Sequence, residues 1–231
     1  MNITHIINLF RAYLIENKRI LLIYCLITFV VTILGFSTNS LQVLAILVPY
    51  FILYWVAGTF FQSTLKRDNS THFFTLPVTA LEKFIHAVTV IIFLGVILLA
   101  LEIAGAYIGA YLLRPLYNIG PIVWQMDKSI YKLISFDALS TLSLFLFGSI
   151  YFVKNAFIKT WATVSGITIG AIIYFVGLVF LVFGNIGNID NSVSINLANP
   201  YLFENYFYLI SIAFALFFLS LTYLRLRETE V

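Results

Sequence analysis

Six stretches of this chain are so long and so apolar that lipid, rather than water, is the solvent they fit. They cover residues 20–36, 41–61, 84–113, 134–153, 161–184 and 207–224. A helix needs about 20 mostly apolar residues to cross about 30 Å of hydrocarbon. The first stretch is on the short side. The third would be about 45 Å long as a helix and must tilt or protrude. None shows the two-residue alternation of a membrane barrel, and backbone groups in lipid must pair within their own segment, so helices are the expected structure. Composition agrees: 61% of residues are apolar and 10% charged, against roughly 25% charged in a soluble domain. Mean hydropathy is +1.01. A soluble globular domain and a disordered chain are both excluded. The formal charge of +3 rests on few, dispersed basic residues, which argues against a nucleic-acid partner. The expected fold is all-α, a polytopic membrane protein whose six transmembrane helices form one domain over residues 1–231. The first stretch starts only after 19 residues, and Gly35-Phe36-Ser37 is a poor cleavage site, so it reads as a retained span.

Lys and Arg set the orientation. With six spans both termini share a side, and that side collects Arg11, Lys18, Arg19, Lys66, Arg67, Lys83, Lys154, Lys159, Arg225 and Arg227. The other side holds Arg114, Lys128 and Lys132. Both termini are therefore expected in the cytoplasm, and dropping one span would mix the charges.

Outside the spans, Ile3, Ile6, Ile7, Phe10 and Leu14 recur at helical spacing. Residues 2–19 are expected to form an amphipathic helix in the cytoplasmic interface, its basic end near phosphate headgroups. In the loop 66–83, Asn69 or Ser70 can cap a short helix that Pro77 ends. Thr79-Ala80-Leu81-Glu82 fits a capping box at the start of span three. The short helix would carry Phe73, Phe74 and Leu76, either as a docking surface or as rings dipping into headgroups. Residues 114–133 form a loop rich in turn residues, and residues 185–206 a segment expected to fold partly back into the outer leaflet.

Catalytic signatures are missing. There is no phosphate-binding Gly-x-x-x-x-Gly-Lys-Ser/Thr, no His-Glu-x-x-His and no Gly-x-Ser-x-Gly around Ser149. One cysteine, Cys25, allows no internal disulfide. Two acids fall within the spans, Glu102 and Asp137, and counting residues places both toward the outer leaflet. Each reads either as a pathway or gating residue or as half of a structural ion pair with Arg114, Lys128 or Lys132. Gly105 with Gly109, and Gly166 with Gly170, make two Gly-x-x-x-Gly pairs suited to close helix packing.

Thr75-Leu76-Pro77-Val78-Thr79-Ala80-Leu81-Glu82-Lys83, together with the tail Tyr223-Leu224-Arg225-Leu226-Arg227-Glu228 and the overall layout, resembles the membrane subunit of type-2 ABC exporters of the small, six-span bacterial kind. Many members carry an acidic-Gly-Thr/Ser run where this chain reads Asp68-Asn69-Ser70-Thr71. The resemblance implies a bacterial cytoplasmic-membrane location and a permease subunit that is not itself an enzyme and binds no cofactor. ATP and Mg would sit in a separate cytosolic P-loop ATPase subunit, within an assembly that includes a second permease copy or homologue. It also implies that Ser70, Thr71, His72, Phe73, Phe74, Leu76 and Pro77 meet the ATPase as a coupling helix. The wholly apolar spans suit lipids, hydrophobic peptides, drugs or lipid-linked sugars as cargo. An ion-coupled carrier and a non-transporting scaffold or accessory subunit are the competing expectations.

Overall fold

The computed structural model describes residues 3–38, 41–65, 79–116, 128–152, 154–183 and 200–228, with side chains throughout except at 62–65, 116, 128–137, 175, 179–183 and 200–208. Six long helices follow one another: α1 (Ile3–Ser37), α2 (Gln42–Leu65), α3 (Ala80–Tyr107), α4 (Lys128–Tyr151), α5 (Ala156–Phe183) and α6 (Pro200–Glu228). α3 runs on through a π-helical turn, Ile108–Leu113, and a last turn, Arg114–Leu116. Five of the helices are long and apolar enough to cross a membrane, and the apolar part of α4 with described side chains, Ala138–Tyr151, is shorter. The chain is thus an all-helical, multi-pass type of membrane protein with five to six long apolar helices.

Several helix ends differ from expectation for identifiable reasons. No Gly or Pro interrupts residues 17–21, and the Asn17 amide donates back to the Tyr13 carbonyl at 3.1 Å. The expected interfacial helix and first span are therefore one continuous helix of 35 residues, about 52 Å long. α6 starts at Pro200, because proline suits the first helical position, where its missing N–H has no intrahelical partner. Residues 200–206, expected in the folded-back segment, are its first turns. Pro49 lies inside α2 and leaves the Ala45 carbonyl without its usual donor.

The helices alternate in direction. One buried apolar knot contains Ala57, Phe60 and Phe61 from the end of α2, Ala80 and Ala87 from the start of α3, and Leu146 and Ile150 from the end of α4. It also takes in Phe157 from the start of α5 and Leu226 from the end of α6, with Phe10 and Tyr13 of α1 packed against it. The described chain thus begins and finishes at the same end of the bundle, which is the end rich in Lys and Arg. α1 packs mainly on α3, α2 on α4, and α4 on α6. The α4–α5 turn is tight: Phe152 N–H bonds the Gly148 carbonyl at 2.9 Å, and Asn155 takes a left-handed conformation with φ 53°, which Asn tolerates better than most residues. Hydroxyls within the helices mostly bond their own backbone, as Thr32 does to the Thr28 carbonyl at 2.7 Å and Thr222 to that of Phe218 at 2.7 Å. In lipid this satisfies a polar group without a partner helix.

The two glycine pairs behave oppositely. A Cβ at Gly105 would lie 3.0 Å from Thr32, and one at Gly109 would lie 2.6 Å from the Ile33 carbonyl. This pair lets α1 and α3 approach closely. Gly166 and Gly170 on α5 have nothing within 4 Å. Gly109→Leu is therefore expected to lower thermal stability in mild detergent by about 1–3 kcal/mol, the usual cost of overpacking. Gly166→Leu should leave the melting temperature of the isolated chain unchanged. Equal effects of the two substitutions would contradict this packing.

Candidate functional site

Three places in the bundle carry features beyond packing. The first is the start of α3, directly after the loop expected to couple. The expected capping box is present: Thr79 N–H donates to Glu82 Oε2 at 3.1 Å, and Glu82 N–H donates to Thr79 Oγ1 at 3.4 Å. The structure also buries three polar groups at the start of α3, Glu82, Lys83 and His86, to 3% exposure or less. α1 does the burying. His5 Nδ1 lies 3.9 Å from Glu82 Oε2, Tyr13 stacks on Phe60 at 5.3 Å, and Phe10 meets Phe93 edge-on at 5.1 Å. On the other side Phe84 meets Tyr223 of α6 at 6.0 Å. Of the apolar α1 face expected on headgroups, Phe10 therefore packs on protein, while Ile3 and Ile7 stay exposed. The spacing Glu82-Lys83-x-x-His86, opposite an aromatic at 13, was the available signal. Ser70, Thr71, His72, Phe73, Phe74, Leu76 and Pro77 lie outside the described residues.

The second place is Glu102. Gly105 abuts Thr32, so Glu102, three residues or about 4.5 Å nearer the knot, is level with Phe29 of the parallel helix α1. Phe29 is midway along the apolar stretch of α1. Glu102 is half-buried and makes no hydrogen bond or ion pair among the described residues. Arg114, one of its expected partners, is 12 residues further along, about 18 Å. Thr28, at a similar level, is fully buried with its hydroxyl unpartnered. Asp137 has its backbone in α4, and its side chain is outside the described set, so Glu102 and Asp137 are not shown to meet. Among the described residues no group of three His, Cys, Asp or Glu side chains comes together to hold a metal ion.

The third place was not anticipated. Among the described residues, α5 touches the bundle closely only at its first turns, where Thr160 lies against Gly148. Beyond Ser165 its described residues are all exposed. Its departure opens a cleft of about 410 Å³ between α2, α4 and α5. Phe145 and Phe157, stacked at 5.1 Å, and Tyr54, stacked on Phe145 at 5.6 Å, build one wall. Trp161, Ser165 and Thr168 of α5 line the other side. Apolar surface with a few hydroxyls suits an amphiphile better than a charged solute.

No protein-family model, curated protein or solved structure matches this chain.

Two substitutions probe these places. Thr79→Ala removes a helix cap and is expected to cost about 1 kcal/mol of stability. Glu102→Gln breaks no ion pair and removes a charge that is costly in the apolar bundle, so its melting temperature in detergent should be equal to or above that of the parent. A clear fall would reveal a bound cation or a partner for Glu102.

Proposed function

We propose that this chain is the membrane-spanning permease subunit of an ATP-driven exporter in the bacterial cytoplasmic membrane, with both termini cytoplasmic. Its cargo would be a hydrophobic or amphipathic molecule, and a separate P-loop ATPase subunit would supply ATP and Mg. The observation that carries the reading is the α1–α3 pair. The two helices run parallel and touch from His5–Glu82 at the basic end to Phe36–Gly109 at the other. A 34-residue apolar helix, Ala80–Leu113, thus begins immediately after the coupling loop and carries α1 with it. A push on Ser70 to Pro77 would reach the capped, buried start of α3 and pass along a pair about 50 Å long. The resemblance of Thr75–Lys83 to type-2 ABC exporters supports the same assignment. In this reading the cleft beside α5 receives the cargo, and the uncovered face of α5 is where a second permease copy would pack. The exposed Ile3 and Ile7 would rest on headgroups.

Glu102 favours a second reading. An acid unpaired among the described residues, level with a Thr28 hydroxyl likewise unpartnered among them, is what a carrier needs to couple transport to a proton or cation.

Co-purification in mild detergent separates the two. A stoichiometric P-loop protein is expected, and a lone chain would favour the carrier. With that partner in proteoliposomes, Phe73→Ala with Phe74→Ala should leave ATP hydrolysis running while transport drops roughly ten-fold or more, as for removal of a docking anchor. Retained coupling would overturn the docking role. Transport that survives Glu102→Gln would remove that residue from the mechanism.

A further inference from the structure

Between α1 and α3 lies a second groove, of about 240 Å³, separate from the cleft beside α5. Leu14, Lys18, Leu22 and Cys25 of α1 face Phe93 and Ile97 of α3 across it. It opens outward, since Leu22 and Phe93 are exposed. Its ends differ in chemistry. The end toward the knot carries Lys18, exposed and without an ion pair among the described residues. Arg11, also exposed and unpaired among them, is seven residues earlier, which returns to within about 20° on the helix wheel. Glu16, the acid nearest in sequence, sits two residues from Lys18 and so projects from nearly the opposite side of α1. The groove therefore carries Lys18 in its lining, with Arg11 about 10 Å further along the same face of α1, neither paired among the described residues, and beyond Lys18 the walls are apolar.

The length is consistent with the charge. From Lys18 to Cys25 is seven residues, or about 10 Å, which takes the upper part of an acyl chain within one leaflet, about half of the roughly 30 Å hydrocarbon core. A free phosphate would leave the apolar walls unused, and an apolar helix of another protein would offer Lys18 and Arg11 no counter-charge. A phosphate headgroup with a chain attached satisfies both ends.

We propose that this groove binds an anionic glycerophospholipid, its phosphate on Lys18 and Arg11 and one acyl chain along Leu22, Cys25, Phe93 and Ile97. The site does not depend on the exporter reading, because it concerns a lipid that stays bound to the α1–α3 pair rather than one that is moved.

The test uses the full chain in phosphatidylcholine nanodiscs doped with phosphatidylglycerol carrying a diazirine in one acyl chain. Photolysis and peptide mass spectrometry locate the adducts, and phosphatidylcholine with the same tail serves as the comparison. Adducts of the anionic probe are expected to concentrate on the segments holding Leu22, Cys25 and Ile97, above those of the neutral probe. Lys18→Gln should reduce that yield about five-fold, the effect of one basic residue at an anionic surface, and Lys18→Arg should retain it. Cys25→Trp, which fills the groove with the charges intact, should remove the adducts at Ile97. Equal labelling by the two probes, labelling spread evenly onto α5, or no response to Lys18→Gln would each overturn the site. So would a disulfide-linked dimer through Cys25 under mild oxidation, which would place a second copy in the groove.

Discussion

The knot of rings and aliphatic side chains at the basic end holds the other parts in register. Helices inside a bilayer gain no hydrophobic effect from touching, since lipid tails are as apolar as leucine. At the basic end that changes. Phe10, Tyr13, Phe84 and Tyr223 belong to segments flanked by Arg11, Lys83 and Arg225, where water and headgroups are the alternative solvent. Burying them there against Phe60, Phe61 and Leu226 is favourable for the ordinary reason that apolar surface leaves water. Every helix contributes to this one cluster, so its position fixes the alternation of the bundle.

Away from the knot, cohesion has to come from close approach. Between α1 and α3 it does: Gly105 and Gly109 bring the backbone of one helix onto Thr32 and Ile33 of the other, where dispersion contacts and carbonyl proximity replace the missing solvent term. α5 has the same glycine spacing, but nothing among the described residues lies within 4 Å of a Cβ built at Gly166 or Gly170. Tied at its first turns through Ala156, Phe157 and Thr160, all buried, it departs from α2 and α4. The cleft is the direct result. One motif thus builds an interface in one helix and leaves a surface in another, and only the partner decides which.

The long apolar runs and the basic residues made the class of fold, the alternation of helices and the Thr79–Glu82 cap legible in the sequence. Those features depend on local patterns: run length, charge side and a four-residue box. What the sequence hid is three-dimensional. The burial of Glu82, Lys83 and His86 depends on α1 extending unbroken to His5, and a break near Lys18 was expected because polarity changes there. Polarity and helicity are separate properties, however, and Glu16-Asn17-Lys18-Arg19 contains no helix breaker. The level of Glu102 against Phe29 depends on the register between two parallel helices, which no count along one helix supplies. The cleft depends on an absence of packing, which leaves no pattern at all.

These arrangements constrain how the molecule can move. α1 and α3 are joined over their length, so they can shift only as a unit. α5 is joined near one end and reaches the rest through the Phe152–Asn155 turn, where the left-handed Asn155 sets the angle at which it leaves. A change that keeps Phe145 and Phe157 stacked within the knot turns α5 about its first turns, where Thr160 lies against Gly148, and widens or closes the cleft toward Ser165 and Thr168. It changes the space that Ser165 and Thr168 line while leaving the α1–α3 pair intact.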